Sequence, residues 1–350
     1  EEKRWQGGIR QIAYFDDKMD WSAVLQTSFR RRRVIRMYRA CAVAGIVLLL
    51  GVGGLFLMQK PEKTRGIIAR VQPHEVKLNT ASGKSYSLDL AGDIITEETV
   101  LKSDGKKLMF EAREQANGKV EWNTVDVPRG GTYNVELSDG TEVFLNAESI
   151  LRFPNSFEEG TCREIWIDGE AYFKVKRDEA HPFVVHTGNI EVEVLGTEFN
   201  LQSYNNESIV QTTLVSGAVH IEAVKNGDIV STIKLKPSER AVYDISSGSV
   251  SIATVNTEYD TAWKEGRLMF KDMPIPQVLK KLSYFYNVRF DVKDSVINTY
   301  RFTGTFENKQ LSQILDYLKI SSQIDYTIKQ MTSDDSSGIQ NETVTLKKMR

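Results

Sequence analysis

A chain of 350 residues is long enough for two or three domains, and 41% hydrophobic residues with only 8 Pro and 26% charged residues exclude wholesale disorder. The net charge of −2 is unevenly spread: residues 1–39 carry ten Lys/Arg against five Asp/Glu, or +5, which leaves −7 for everything after them. Positive charge gathered ahead of an apolar run argues against a nucleic-acid binder of the basic-surface kind, so no direct nucleic-acid partner is expected. The two cysteines, Cys41 in an apolar run and Cys162 in a soluble stretch, offer no disulfide framework.

In chain order, the first segment is 1–39. Trp5, Ile9, Ile12 and Tyr14, then Trp21, Val24, Leu25 and Phe29, are loosely helical in spacing. They read either as an amphipathic partner-binding surface, with Trp5 and Trp21 as candidate anchors, or as a remnant lying on a membrane surface. Arg30, Arg31, Arg32, Arg33, Arg36 and Arg39 follow with no acid among them. Residues 40–58 then hold nineteen positions without a charge, which as a helix span roughly 28 Å, close to the hydrocarbon thickness of a bilayer. No polar face interrupts the run, which disfavours a buried core helix, and it is too long and too far from the start for a signal peptide. The arginines set the topology by the positive-inside rule. The expectation is a single-pass protein of the inner membrane, with a cytoplasmic N-terminus, the lipid bilayer as one partner, and everything after 58 on the far side.

Residues 66–260 read as almost pure β, divided into an N-terminal segment over 66–125 and a domain over 126–260. Apolar positions alternate at Tyr133/Val135/Leu137, Ala171/Phe173/Val175, Ile190/Val192/Val194 and Val219/Ile221. Asp139-Gly140, Asp168-Gly169, Asn226-Gly227 and Ser247-Gly248 stand between such runs as predicted hairpin turns. The pattern predicts an antiparallel sandwich or jelly-roll-like stack. After Trp263 the pattern changes. Leu268/Phe270 alternate, Pro274 and Pro276 open a helix with Ile275, Val278, Leu279, Leu282, Phe285 and Tyr286 on one face, and Asn287 suits its cap. A second round runs from Tyr300/Phe302 through a helix with Leu311, Ile314, Leu315 and Leu318 to Tyr326/Ile328, and 343–346 add a last strand. The prediction is a small α/β module over 266–350 made of two βαβ units.

Five blocks occur in order: Val127-Pro128-Arg129-Gly130-Gly131, Leu137-Ser138-Asp139-Gly140-Thr141, Leu145-Asn146-Ala147, Gly169-Glu170-Ala171-Tyr172-Phe173 and Leu195-Gly196-Thr197-Glu198-Phe199-Asn200. They resemble the periplasmic domain of FecR-family sigma-factor regulators of the Bacteroides-like type. Leu282-Ser283-Tyr284-Phe285-Tyr286 and Phe302-Thr303-Gly304-Thr305 are similar to that group's C-terminal, STN-like signalling domain. The resemblance implies an anti-sigma factor that relays a signal from the signalling domain of a TonB-dependent outer-membrane transducer to a cytoplasmic extracytoplasmic-function sigma factor. The tail of 39 residues starting at Glu1 implies a shortened sigma-binding region. From a different class, the alternative is a membrane-tethered periplasmic carbohydrate-binding or envelope scaffold protein.

Chemical motifs are sparse. His74, His181, His186 and His220 are scattered, no Walker loop, G-x-S-x-G elbow or dinucleotide glycine pattern occurs, and no cofactor or metal is expected. The resemblance adds one reaction, self-cleavage at Gly196-Thr197, in which the Thr hydroxyl attacks the preceding carbonyl and water opens the ester. The competing reading makes Gly196 a bulge or tight bend leading into the strand of Phe199 and Leu201.

Overall fold

The computed structural model describes residues 75–89, 91–95, 99–112, 120–225, 228–329 and 342–349. The uncharged run 40–58, Trp5, Trp21 and the six arginines of the topology reading lie outside the described residues, as does the Asn226-Gly227 turn. Among the described residues no helix is long and apolar enough to cross a membrane.

Eighteen described strands build the β body. They are β1 (Lys77–Asn79), β2 (Ser85–Ser87), β3 (Gly92–Ile95), β4 (Thr99–Ser103), β5 (Lys107–Ala112), β6 (Trp122–Val127), β7 (Tyr133–Glu136), β8 (Glu142–Leu145) and β9 (Ser149–Pro154). After them come β10 (Arg163–Lys174), β11 (Phe183–His186), β12 (Ile190–Val194), β13 (Glu198–Ser203), β14 (Ile209–Ser216), β15 (Val219–Lys225), β16 (Asp228–Leu235), β17 (Glu239–Asp244) and β18 (Val250–Thr254). One sheet runs β2-β1-β6-β9-β10-β11-β12-β15-β16 and the other β3-β4-β5-β7-β8-β10-β13-β14-β17-β18. Pairing is antiparallel except at β5–β7 and β10–β11. Alternate residues of both sheets turn into one apolar core in which Phe153, Phe173, Phe183 and Phe199 are fully buried. Each such side chain contributes roughly 1.5–3 kcal/mol by leaving water. The point 125/126, taken from sequence as a domain boundary, falls inside β6, which pairs with β1 on one side and β9 on the other.

β10 belongs to both sheets. Trp166–Asp168 pair with β9, whereas Gly169–Lys174 pair with β13. The Asp168-Gly169 hairpin turn expected from sequence is therefore wrong: the dipeptide sits in the middle of a twelve-residue strand. Gly169 has φ +126°, and a Cβ there would lie 2.6 Å from Ser149 Cα, so the glycine bends the strand from one layer into the other. An Asp-Gly pair signals positive φ, and positive φ serves a bend as readily as a hairpin. At Asp139-Gly140 the prediction holds: Gly140 has φ +84°, its N–H donates to Leu137 O at 2.9 Å, and Asp139 accepts from the Thr141 N–H. Ser247-Gly248 likewise turns between β17 and β18.

Two short helical segments follow that the sequence did not announce, α1 (Glu258–Thr261) and a 3₁₀ turn (Ala262–Glu265), closed by Gly266 at φ +72°. Neither is long enough to show a hydrophobic period. The C-terminal module then holds β19 (Arg267–Pro274), α2 (Ile275–Tyr286), β20 (Val288–Val292), β21 (Arg301–Glu307), α3 (Leu311–Ser322), β22 (Ile324–Lys329) and β23 (Glu342–Lys348). Pro276 stands in the first turn of α2, and Asn287 ends the helix in the left-handed region with its N–H on Ser283 O, as expected. α3 starts with a capping box between Gln310 and Gln313.

The expected pair of βαβ units requires correction. The element order is right, but the strands flanking each helix do not share a sheet. β19 pairs antiparallel with β21, while β20 pairs parallel with β23 and β23 antiparallel with β22. Periodicity orders the elements but leaves open which edges meet. The buried stripes of α2 and α3 join Phe270, Phe302, Phe306, Val344 and Leu346 in a second core, separate from that of the β body.

Candidate functional site

α2 is apolar on more than one side. Ile275, Val278, Leu279, Leu282 and Tyr286 face the module's own core with Phe285 packed against it at the edge, which leaves Lys280 and Tyr284 for the seam with the β body. The Tyr284 carbonyl accepts the Gly130 N–H at 2.8 Å, and its ring lies 5.0 Å from Tyr204 and 5.0 Å from the Arg129 guanidinium. Arg129 is itself fixed by a two-pronged pair with Glu148, at 2.6 and 3.1 Å. Lys280 meets Glu207 at 2.6 Å, and Tyr204 OH donates to Ala147 O at 2.9 Å.

Deeper in the seam lies Glu170, 6% exposed, the residue after the bend in β10. Its carboxylate accepts from Asn146 Nδ2 at 2.7 Å and Asn200 Nδ2 at 3.0 Å, and Asn200 Oδ1 accepts in turn from Trp263 Nε1 at 3.0 Å. A chain of hydrogen bonds thus runs from a carboxylate in the β body to an indole in the connecting segment. Burial pushes the Glu170 pKa above the ordinary glutamate value, while the nearby Lys281 charge and the two amides pull it back. Asp260 of α1 holds the same segment from the other side, accepting from Thr213 Oγ1 at 2.9 Å and lying 3.4 Å from Arg240 Nη1.

Two cavities open along this seam. A cavity of about 350 Å³ is lined from the β body by Thr132 and Ala147 and from the segments beyond it by Trp263, Lys264, Phe285, Lys309 and Leu311. A second, of about 30 Å³, lies beside Glu170 and Lys281 and has room for one water.

Gly196 and Thr197 lie elsewhere, between β12 and β13. A Cβ on Gly196 would sit 2.6 Å from Arg177 Cα, so close backbone approach accounts for the glycine. Thr197 is 3% exposed and donates its hydroxyl to Ala218 O at 2.9 Å. The register slips at Glu198/Phe199, in keeping with the bulge reading. No group of three His, Cys, Asp or Glu able to hold a metal occurs among the described residues.

Most of the sequence blocks picked out above meet at the seam. Arg129, Gly130, Asn146, Glu170, Asn200 and Tyr284 come from five of them, spread over more than 150 residues of chain and gathered at one place by the two sheets. Sequence reasoning treated Glu170 and Trp263 only as parts of a strand and a boundary. Glu170 alternates with the core residues Ala171 and Phe173 and so stands on the outward face of β10, where a charged residue carries no signal of burial.

The FecR protein family model matches residues 123–220, and the model for the FecR C-terminal region matches 267–333. Two crystal structures of a candidate anti-sigma factor from Parabacteroides distasonis ATCC 8503, at 1.65 and 2.50 Å resolution, are similar to this chain with TM-scores of 0.55 and 28% identity. They cover 65% of this chain and 99% and 100% of their own. No protein of curated function matches it. The β body and the module are thus each matched, in order, by a FecR family model, on either side of the connecting segment.

Proposed function

We propose that this protein regulates a sigma factor, and that the seam between β body and C-terminal module couples a binding event on the far side of the inner membrane to that regulation. The observation that carries the reading is the joint presence of both FecR regions, interlocked through Gly130 with Tyr284 and Glu207 with Lys280. In this reading 40–58 cross the membrane once with 1–39 in the cytoplasm, Trp5 and Trp21 contact an extracytoplasmic-function sigma factor, and the module receives the signalling domain of a TonB-dependent transducer. The test is co-purification of the full chain with a candidate sigma factor, repeated with Trp5→Ala and Trp21→Ala. Retention that the substitutions abolish is expected, and a sigma factor that never co-purifies overturns the proposal. A C-terminal reporter active only outside the cytosol is the expected result for the topology.

The carbohydrate-binding alternative calls for aromatic faces open to a sugar. On the β body Trp166 is covered by His186, stacked at 4.7 Å, and by the Arg152 guanidinium at 5.5 Å, which also lies over Trp122. These rings are occupied by one another, which favours the regulator. The regulator needs no catalytic group, and we read the chain as remaining intact. A pair of fragments meeting at Gly196/Thr197 in an intact-mass spectrum of freshly purified protein overturns that part.

A further inference from the structure

The 350 Å³ cavity of the seam lies within the range of small-ligand pockets, and its lining is asymmetric in charge. Two lysines, Lys264 and Lys309, stand on it, and no aspartate or glutamate does, in a protein whose net charge is −2. Lys264 is shared with Glu265 at 2.9 Å and lies over the Tyr172 ring. Lys309 is exposed, and its ammonium has no carboxylate within ion-pair distance among the described residues. Its backbone is nonetheless pinned, because Tyr286 OH donates to Lys309 O at 2.6 Å. A cation without an acidic partner among the described residues thus stands at a cavity whose remaining wall is largely apolar, from Trp263, Phe285 and Leu311, with the exposed Thr132 supplied by the β body.

We propose that this cavity binds a carboxylate carried on an apolar body of about one or two amino-acid residues in size. The acid group pairs with Lys309 and Lys264, and the apolar body lies against Trp263 and Phe285. Both a small aromatic or aliphatic acid and the C-terminal residue of a polypeptide have this chemistry. The walls come from the β body, the connecting segment, α2 and α3, so an occupant touches both sides of the seam and favours its closed form. The site stands whether or not the protein controls a sigma factor.

The test uses the full chain in lipid nanodiscs, with ligand-observed NMR titration of N-acetyl-L-phenylalanine, its C-terminal amide, and a blocked hexapeptide ending in phenylalanine. Saturable binding of the free acid is expected, weakened about tenfold in the amide and about tenfold by Lys309→Gln, as fits a hydrogen bond to a charged group. Lys309 is exposed, so its substitution leaves the fold intact. Tighter binding of the hexapeptide than of the small acid assigns the site to a polypeptide end, and the reverse order assigns it to a free acid. Equal binding of acid and amide, binding unchanged by Lys309→Gln, or no saturation up to about 10 mM of the acid and the hexapeptide overturns the proposal.

Discussion

The core of the β body and the seam beside it are built on opposite principles. The core gathers apolar side chains from eighteen strands. The seam holds a buried carboxylate, two asparagines, an indole N–H, ion pairs and two cavities within one contact zone. Apolar packing is non-directional and tolerates a mutual slide better than it tolerates a void, whereas a polar network is satisfied in one geometry and costly in every other. The core makes the body stable, and the seam makes the position of the module specific.

The largest expected effect tests the core. Phe199 is fully buried and stacked on Phe173 with centroids 4.8 Å apart, so Phe199→Ala should cost about 3–5 kcal/mol, read as a lowered denaturation midpoint. A loss below about 1 kcal/mol would mean that the two sheets do not depend on this packing. Gly169→Ala should come next, at about 3 kcal/mol, because the new Cβ meets Ser149 backbone and the φ of +126° is strained for any other residue.

Glu170→Ala strands the buried Asn200 amide donor and the half-buried one of Asn146 and should cost about 2 kcal/mol in thermal unfolding. Its pH dependence sharpens the contrast. The Glu170 pKa is raised in the folded protein, so the native state keeps its proton where the unfolded chain has lost it. Stability relative to Glu170→Gln is then fully present below the ordinary value of 4.5 and is lost as pH rises through the native pKa. Melting curves of the two proteins that stay parallel from acid to neutral pH would remove Glu170 from that role. The smallest effect is expected from Tyr284→Ala, about 1 kcal/mol, and it should appear locally. Faster hydrogen exchange at the Gly130 N–H, with the core amides unchanged, is the expected signature of a seam loosened without harm to the body.

This contrast also explains what could be read in advance. Alternation at Tyr133/Val135 or Ile190/Val192/Val194 reports one-sided burial, and each of these residues is buried as expected. The same holds for the helices, whose stripes and the Asn287 cap are local properties of a few neighbouring residues. Strand partnership in the module is not local: nothing in Phe270 or Val288 says that the strands on either side of α2 enter different sheets. The seam was the least legible, because Glu170, Asn200 and Trp263 are ordinary at their own positions and acquire meaning only from one another. The family resemblance marked most of the blocks that supply these groups without indicating that they converge.

β10 is spliced into two ladders, so a single register serves both layers. Moving it along β9 by one residue would invert which side chains face inward and which outward, Glu170 among the latter, and no half-step exists between the two arrangements. The carboxylate at the head of the hydrogen-bond chain to the connecting segment is therefore indexed to the body like a tooth on a rack. Motion passed through this joint has to take the form of opening or swivelling about that tooth, because creep along the strand is closed to it.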